Sequence, residues 1–329
     1  MGAIVRRRDF ITLLGGAAVL PLAAGAQPAL PVIGFLSSAS SGQDGGRLQG
    51  FRQGLVQAGY VEGRNVAIEY RWAEEQLDRL PALAADLAAR QVAVIVTSGH
   101  VLGALAAKAA TKTIPIVFVT GADPILIGLV ASVKRPGGNL TGVATLSIEM
   151  EPKLLELLHE MAPTATTIGV LVNPNNPNTE AQSQNLRAAA GTMGLKVHFV
   201  NASTDDDFNM AFAKLVQVKA GGLVIATDGV FVSRSERLAA LCVQRAIPAI
   251  FPFRAFAAAG GLMSYGGNLT ELQRQSGIYA ARILKGEKPA DLPVQQVTRV
   301  ELIINLKSAR ALGLTVPLPL IGRADEVIE

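Results

Sequence analysis

Short apolar runs rich in β-branched residues alternate with Ala- and Leu-rich stretches of helical periodicity along most of the chain. The runs at 32–37, 66–70, 92–97, 116–119, 167–172, 196–200, 222–226 and 249–251 predict strands. Most are apolar without interruption, the pattern of parallel strands buried on both faces. Between them, 47–58, 77–89, 149–161, 180–193, 208–219 and 233–245 predict helices. Strands alternating with helices of this length predict right-handed βαβ units, and so an α/β fold of doubly wound parallel sheets.

The alternation runs twice. The first block ends near 139–145 and the second begins after the helix at 149–161, just past the turn cluster Pro136-Gly137-Gly138-Asn139. Two later glycine- and proline-bearing stretches, at 265–268 and 286–293, predict further connections. The expected organisation is two lobes joined by a three-segment hinge, at 141–142, 265–268 and 289–295. Lobe 1 takes 30–141 plus 267–289, and lobe 2 takes 142–266 plus 290–329. A ligand cleft is expected between them.

The first residues obey a different pattern. A basic start with Arg7-Arg8-Asp9-Phe10-Ile11, a short apolar middle diluted by Gly15 and Gly16, and Ala24-Gly25-Ala26 form the three parts of a removable export signal. The paired arginines mark the twin-arginine route. The middle is too short for a spanning helix, which needs about 20 apolar residues. The reading is a signal peptide over 1–26, cleaved near Ala26, and a periplasmic mature chain. Of 30 basic and 26 acidic residues, the leader holds Arg6, Arg7, Arg8 and Asp9, so the mature chain carries 27 and 25. No Lys/Arg run survives, which argues against a nucleic-acid partner. Cys242 is the only cysteine, which excludes an internal disulfide and any cysteine-rich metal site. A monomer is expected.

In open parallel sheets ligands bind beyond the carboxyl ends of the strands. The segments there are polar: Ser37-Ser38-Ala39-Ser40-Ser41, Thr97-Ser98-Gly99-His100, Thr120-Gly121-Ala122-Asp123-Pro124, Asn173-Pro174-Asn175-Asn176 and Thr227-Asp228-Gly229. Such residues also serve as helix N-caps. Their recurrence at one end of both predicted sheets favours a small polar ligand, with helix N-termini receiving a carboxylate and Asp123 or Asp228 an ammonium group. Tyr265 at a crossing and Trp72 after a strand are aromatic candidates for the cleft wall, although Trp72 suits a sheet edge equally. His100 adjoins the cleft in a capping position. Nucleotide-binding and nucleophile-elbow signatures are absent, and the three histidines fall on separate elements. No catalytic constellation assembles, so the chain reads as a binder rather than an enzyme, with no cofactor and no metal.

One family unites these features. The leader, Val32-Ile33-Gly34-Phe35-Leu36-Ser37, Phe51-Arg52-Gln53-Gly54-Leu55 and Gly59-Tyr60-Val61-Glu62-Gly63-Arg64-Asn65 resemble the ABC-transporter substrate-binding family related to tryptophan/tyrosine-binding proteins. Ile114-Pro115-Ile116-Val117-Phe118, Asp123-Pro124, Gly138-Asn139-Leu140-Thr141-Gly142 and Asn173-Pro174 extend the resemblance over the mature chain. The segment Thr120-Gly121-Ala122-Asp123 departs from the family pattern by one extra small residue before Asp-Pro. The resemblance implies a type I periplasmic-binding fold and capture of a small polar or aromatic solute, such as an amino acid. It further implies delivery to an ABC permease in the inner membrane, and ligand contacts from Ser37, Ser38, Ser98, Asp123, Asn173, Asp228 and Tyr265. A ligand-sensing module for a membrane receptor and a periplasmic hydrolase are the alternative readings.

Overall fold

The computed structural model describes residues 30–42, 45–145, 150–297 and 299–329; the expected signal segment over 1–26 lies outside these. The first run of elements is β1 (Val32–Ser37), α1 (Gly45–Gln57), β2 (Ala67–Trp72), α2 (Leu80–Ala89), β3 (Val94–Ser98), α3 (Val101–Ala110), β4 (Ile116–Thr120) and β5 (Leu140–Ala144). The second run opens with α4 (Glu151–Met161), β6 (Thr167–Val172), α5 (Thr179–Thr192), β7 (Lys196–Asn201), α6 (Asp205–Gln217) and β8 (Gly222–Ile225). It continues through α7 (Gly229–Ser233), α8 (Ser235–Gln244), β9 (Ala249–Phe251), α9 (Arg254–Ala258) and β10 (Met263–Gly267). The chain then returns with α10 (Leu269–Leu284) and β11 (Gln295–Gln296), and ends in β12 (Val300–Asn305), α11 (Leu306–Ala311), α12 (Leu318–Arg323) and β13 (Glu326–Ile328).

Two sheets result, ordered β11-β5-β4-β3-β1-β2 and β13-β12-β10-β9-β8-β6-β7. Each carries helices and an apolar core on both faces, so the fold is α/β with two doubly wound lobes. All eight expected strands are present. Of those the periodicity missed, β5, β10, β11 and β13 are short, glycine-bearing or polar, while β12 is a largely apolar strand of six residues. In β10, a Cβ on Gly266 would lie 2.0 Å from the Pro252 carbonyl oxygen, so the glycine marks close strand packing rather than a turn.

The pairing β10–β12 is antiparallel within an otherwise parallel sheet. Topology requires this. The parallel strands direct their carboxyl ends to the cleft, and β11 leaves the first sheet at that same end. A strand entering the second sheet from the cleft must run away from it.

The second crossing, between β10 and α10, falls within the predicted 265–268, while the first and third lie slightly outside the predicted hinges. Thr141 and Gly142 sit inside β5, paired with β4, and the chain leaves the first sheet only after Thr145. Residues 142–144 therefore belong with the first sheet. Residues 290–296 do so too: Thr141 Oγ1 donates to the Leu292 carbonyl at 2.7 Å, Val294 N–H donates to Val133 O at 2.7 Å, and β11 pairs with β5. The third crossing falls between Gln296 and Val300, past the predicted stretch.

The returning helix α10 docks on α1 through glycines. A Cβ on Gly54 would lie 1.9 Å from the Arg274 carbonyl oxygen, and one on Gly277 would lie 2.2 Å from that of Phe51. Only backbone-to-backbone approach fits this seam, so α10 is a structural part of the first lobe although β10, which precedes it, belongs to the second.

In the second lobe the first turn of α4 buries Glu151 completely. Its Oε1 accepts the Thr227 N–H at 3.1 Å, while Gln182 Nε2 donates to the Thr227 carbonyl at 2.8 Å. These two contacts fix the loop that presents Asp228. Burial pushes the Glu151 carboxyl up to about 8, against weaker opposing hydrogen bonds from Thr227 and Gln182.

Two outcomes follow. Gly54→Val forces the helices of the seam apart and lowers stability by ~3 kcal/mol or more, read as a melting midpoint reduced by roughly 6 °C. For Glu151, the folded state holds its proton to higher pH than the unfolded chain does, so its favourable contribution is complete below the unfolded value near 4.5 and fades as pH rises toward 8. At ~1.4 kcal/mol per pH unit the loss approaches roughly 4 kcal/mol. Urea titrations across pH 5 to 8 will show this decline in the wild type and a flatter profile in Glu151→Gln.

Candidate ligand-binding site

At the carboxyl ends of the strands the lobes enclose a cavity of about 60 Å³. This is several times the least volume that holds one water, so the lobes meet around a chamber rather than packing flat. Its lining is mixed. Val232, Phe253, Leu269 and Leu272 are apolar, while Arg47, Thr120, Thr145, Asn178 and Gln273 contribute polar groups. Apolar lining with a few placed polar groups is the usual composition of a small-molecule pocket.

The centre of the arrangement is Asp228, the N-cap of α7, whose side chain is almost wholly buried. Its Oδ1 accepts the Val230 and Phe231 N–H groups at 2.8 and 3.4 Å and the Asn173 Nδ2 at 3.2 Å; its Oδ2 accepts the Asn176 Nδ2 at 2.8 Å. The remaining partner comes from the other lobe: His100 Nε2 lies 3.2 Å from Oδ2. His100 caps α3, its Nδ1 accepting the Leu102 N–H at 3.2 Å. With Nδ1 an acceptor, the ring proton sits on Nε2 and is donated to the carboxylate. Burial alone would raise the Asp228 carboxyl, but His100, Asn173 and Asn176 hold it below the usual carboxylate value.

Local sequence explains how His100 reaches across. Gly99 has φ +87°, and a Cβ there would lie 2.2 Å from Ser38 Oγ. That glycine permits the turn in which the His100 N–H donates to Ser38 Oγ at 2.8 Å. On the opposite side a Cβ on Gly229 would lie 2.9 Å from the His100 Cα. Small residues on both lobes thus allow close approach around the His100–Asp228 pair.

The sequence-derived candidates fall into distinct places. Ser38, Asn173 and Asp228 converge through His100. Ser37 and Ser98 end β1 and β3 below them, buried, with Ser37 Oγ accepting the Ala39 N–H and the Ser98 carbonyl accepting the Ser38 N–H. Asp123 is half-buried and caps its own loop, its Oδ1 accepting the Ile125 N–H at 2.7 Å. Thr120, Gly121 and Ala122, immediately before it, line the cavity instead. Tyr265 lies within β10, half-buried against the second lobe's core. Trp72 stacks on Tyr70 with centroids 5.8 Å apart and covers the edge of the first sheet. Cys242 is buried in α8.

Sequence reasoning passed over Arg47, Asn178, Val232 and Gln273. Gln273 had no local signal, because α10 itself was not expected. Asn178 lies two residues past the polar segment Asn173–Asn176 expected to face the ligand. Phe253 packs in the second lobe's core and also lines the cavity. Among the described residues, no group of His, Cys, Asp and Glu is arranged to hold a metal ion, and no helix is long and apolar enough to cross a membrane.

Comparison with known proteins extends this picture. The family described as ABC transporter substrate binding protein matches residues 32–328. The chain is similar to a tyrosine-binding protein of Clostridioides difficile strain R20291, with 30% identity over 267 residues, 81% of this chain and 76% of that protein. It is also similar to the crystal structure of an ABC domain from Streptococcus pneumonia in complex with L-Trp. That match has TM-score 0.83 and 26% identity, and covers 91% of this chain and 100% of the other. A ligand-free, open substrate-binding protein with adhesive properties from Clostridium difficile gives TM-score 0.66 at 28% identity, over 91% and 99% of the two chains. The family match over residues 32–328, with the 30% identical relative, places this chain in the ABC transporter substrate-binding protein family, whose members bind solutes rather than transform them.

Proposed function

We propose that this chain is the exported capture component of an ABC importer, taking up an aromatic amino acid such as tryptophan or tyrosine by closure of its two lobes. The observation that carries the reading is the cavity of mixed apolar and polar lining, spanned by the His100–Asp228 contact. The apolar lining residues suit an aromatic ring, and Arg47 among the polar ones suits a carboxylate. The similarity to a tyrosine-binding protein and to an L-Trp complex points to the same class of solute.

Closure is supported by shape. The chain is nearer to the L-Trp complex than to the ligand-free open relative, although sequence identity to the open one is slightly higher. Ligand closes such a clamp only by binding the shut form better. Carrying an equilibrium from 1:99 to 99:1 takes about 5.5 kcal/mol of differential affinity, so contacts from both lobes are needed. In this reading Asp228 meets the solute's ammonium group or the His100 ring that faces it. Ser38 and Asn173 hold those two side chains in place, while Ser37, Ser98, Asp123 and Tyr265 frame the surrounding loops. The leader at 1–26 directs the chain through the twin-arginine route to the periplasm. There it acts as a monomer and hands its solute to an inner-membrane permease.

Isothermal titration calorimetry with L-tryptophan and L-tyrosine tests the proposal. One of them binds the wild type, and Asp228→Ala weakens that binding at least tenfold. His100→Ala weakens it comparably, and the double variant loses little more than either single one, because both remove the same link. Absence of heat with both amino acids across the micromolar to millimolar range would refute the aromatic assignment.

A further inference from the structure

We propose that Glu75, Arg234 and Asp205 form an ionic latch between the lobes that holds the shut form and sets the rate of solute release. This rests on the clamp reading above. Arg234 belongs to the second lobe, between α7 and α8, and its Nε donates to Asp205 Oδ1 at 2.8 Å on the first turn of α6. Asp205 thereby fixes the guanidinium before the lobes meet. The other end of Arg234 is ion-paired to Glu75, which belongs to the first lobe, in the segment after β2. The contact lies in a crevice distinct from the solute cavity, beside Gln76, Asp78, Asn173 and Asn175.

Three features separate this pair from an ordinary surface ion pair. The Glu75 side chain is only 18% exposed and that of Arg234 28%, so solvent screening is reduced. Glu75 Oε1 is buried without a partner, which ties the carboxylate's compensation for desolvation to the Arg234 bond. The backbone that delivers it is unusual: Glu74 and Glu75 have φ +52° and +63°, a left-handed pair of non-glycine residues. The Glu75 N–H donates to the Ser38 carbonyl at 2.9 Å, which holds the turn and aims the side chain across the crevice. Strain of this kind persists where surrounding structure over-determines it, and it clusters at clamps and switches. Ser38 also receives the His100 N–H, so one residue anchors both cross-lobe contacts.

The test joins small-angle scattering of the ligand-free protein to stopped-flow release of L-tryptophan or L-tyrosine. Glu75→Gln and Arg234→Met are expected to enlarge the ligand-free radius of gyration and to raise the release rate roughly fivefold. The double variant should go no further, and Arg234→Lys should recover part of the effect. Circular dichroism melts verify that each variant folds. Variants matching the wild type in both readouts, or single effects that simply sum in the double variant, would overturn the latch. Failure of the solute assignment reads differently: neither amino acid binds, yet Glu75→Gln still expands the ligand-free protein, which sustains the latch alone.

Discussion

A buried carboxylate that belongs to both lobes is the interaction on which the site depends. Asp228 sits where water cannot solvate it, and an unpaired charge there would cost several kcal/mol. Its own loop supplies Val230 and Phe231, and the neighbouring loop supplies Asn173 and Asn176. His100 completes the set from the far side of the cleft. The same atoms that cap a helix therefore join the lobes, and the geometry of one loop in each is held by contact with the other. Beneath, Glu151 and Gln182 grip Thr227 from behind, so the loop is fixed from both sides.

Topology sets where this happens. Parallel strands bring every post-strand loop of a lobe to one end, and the three crossings tie those ends together. The reversed β12 is the visible consequence of a chain that must re-enter the second sheet from the cleft. That reversal also explains why the chain closes with β13 at the edge, parallel to β12 and antiparallel to the sheet's interior.

The type I periplasmic-binding architecture was legible because long apolar strands in both lobes and their intervening helices obey simple periodicities. What escaped did so for physical reasons. β10 carries glycines for close packing, which read locally as a turn, and β11 is two polar residues whose pairing depends on β5. For the site, recurrence of polar loops after strands located the region, and Asp228, Asn173 and Ser38 do meet there. Asp123 shows the limit: its side chain caps the next turn while its predecessors Thr120 to Ala122 face the cavity, a one-turn difference no composition reveals. Gln273 and Arg47 face the same space from helices far apart in sequence, brought together by the glycine seam.

That seam also governs the order in which the molecule can be completed. The helical layer that α1 begins on the first lobe is incomplete until α10 has been synthesised, and by then the whole second lobe up to β10 already exists. A nascent chain must therefore hold an unfinished apolar face over Phe51, Leu55 and Tyr279's eventual site while the other half matures. Loss of the carboxyl-terminal segments would strip both lobes at once, leaving no half that could survive as a separate module.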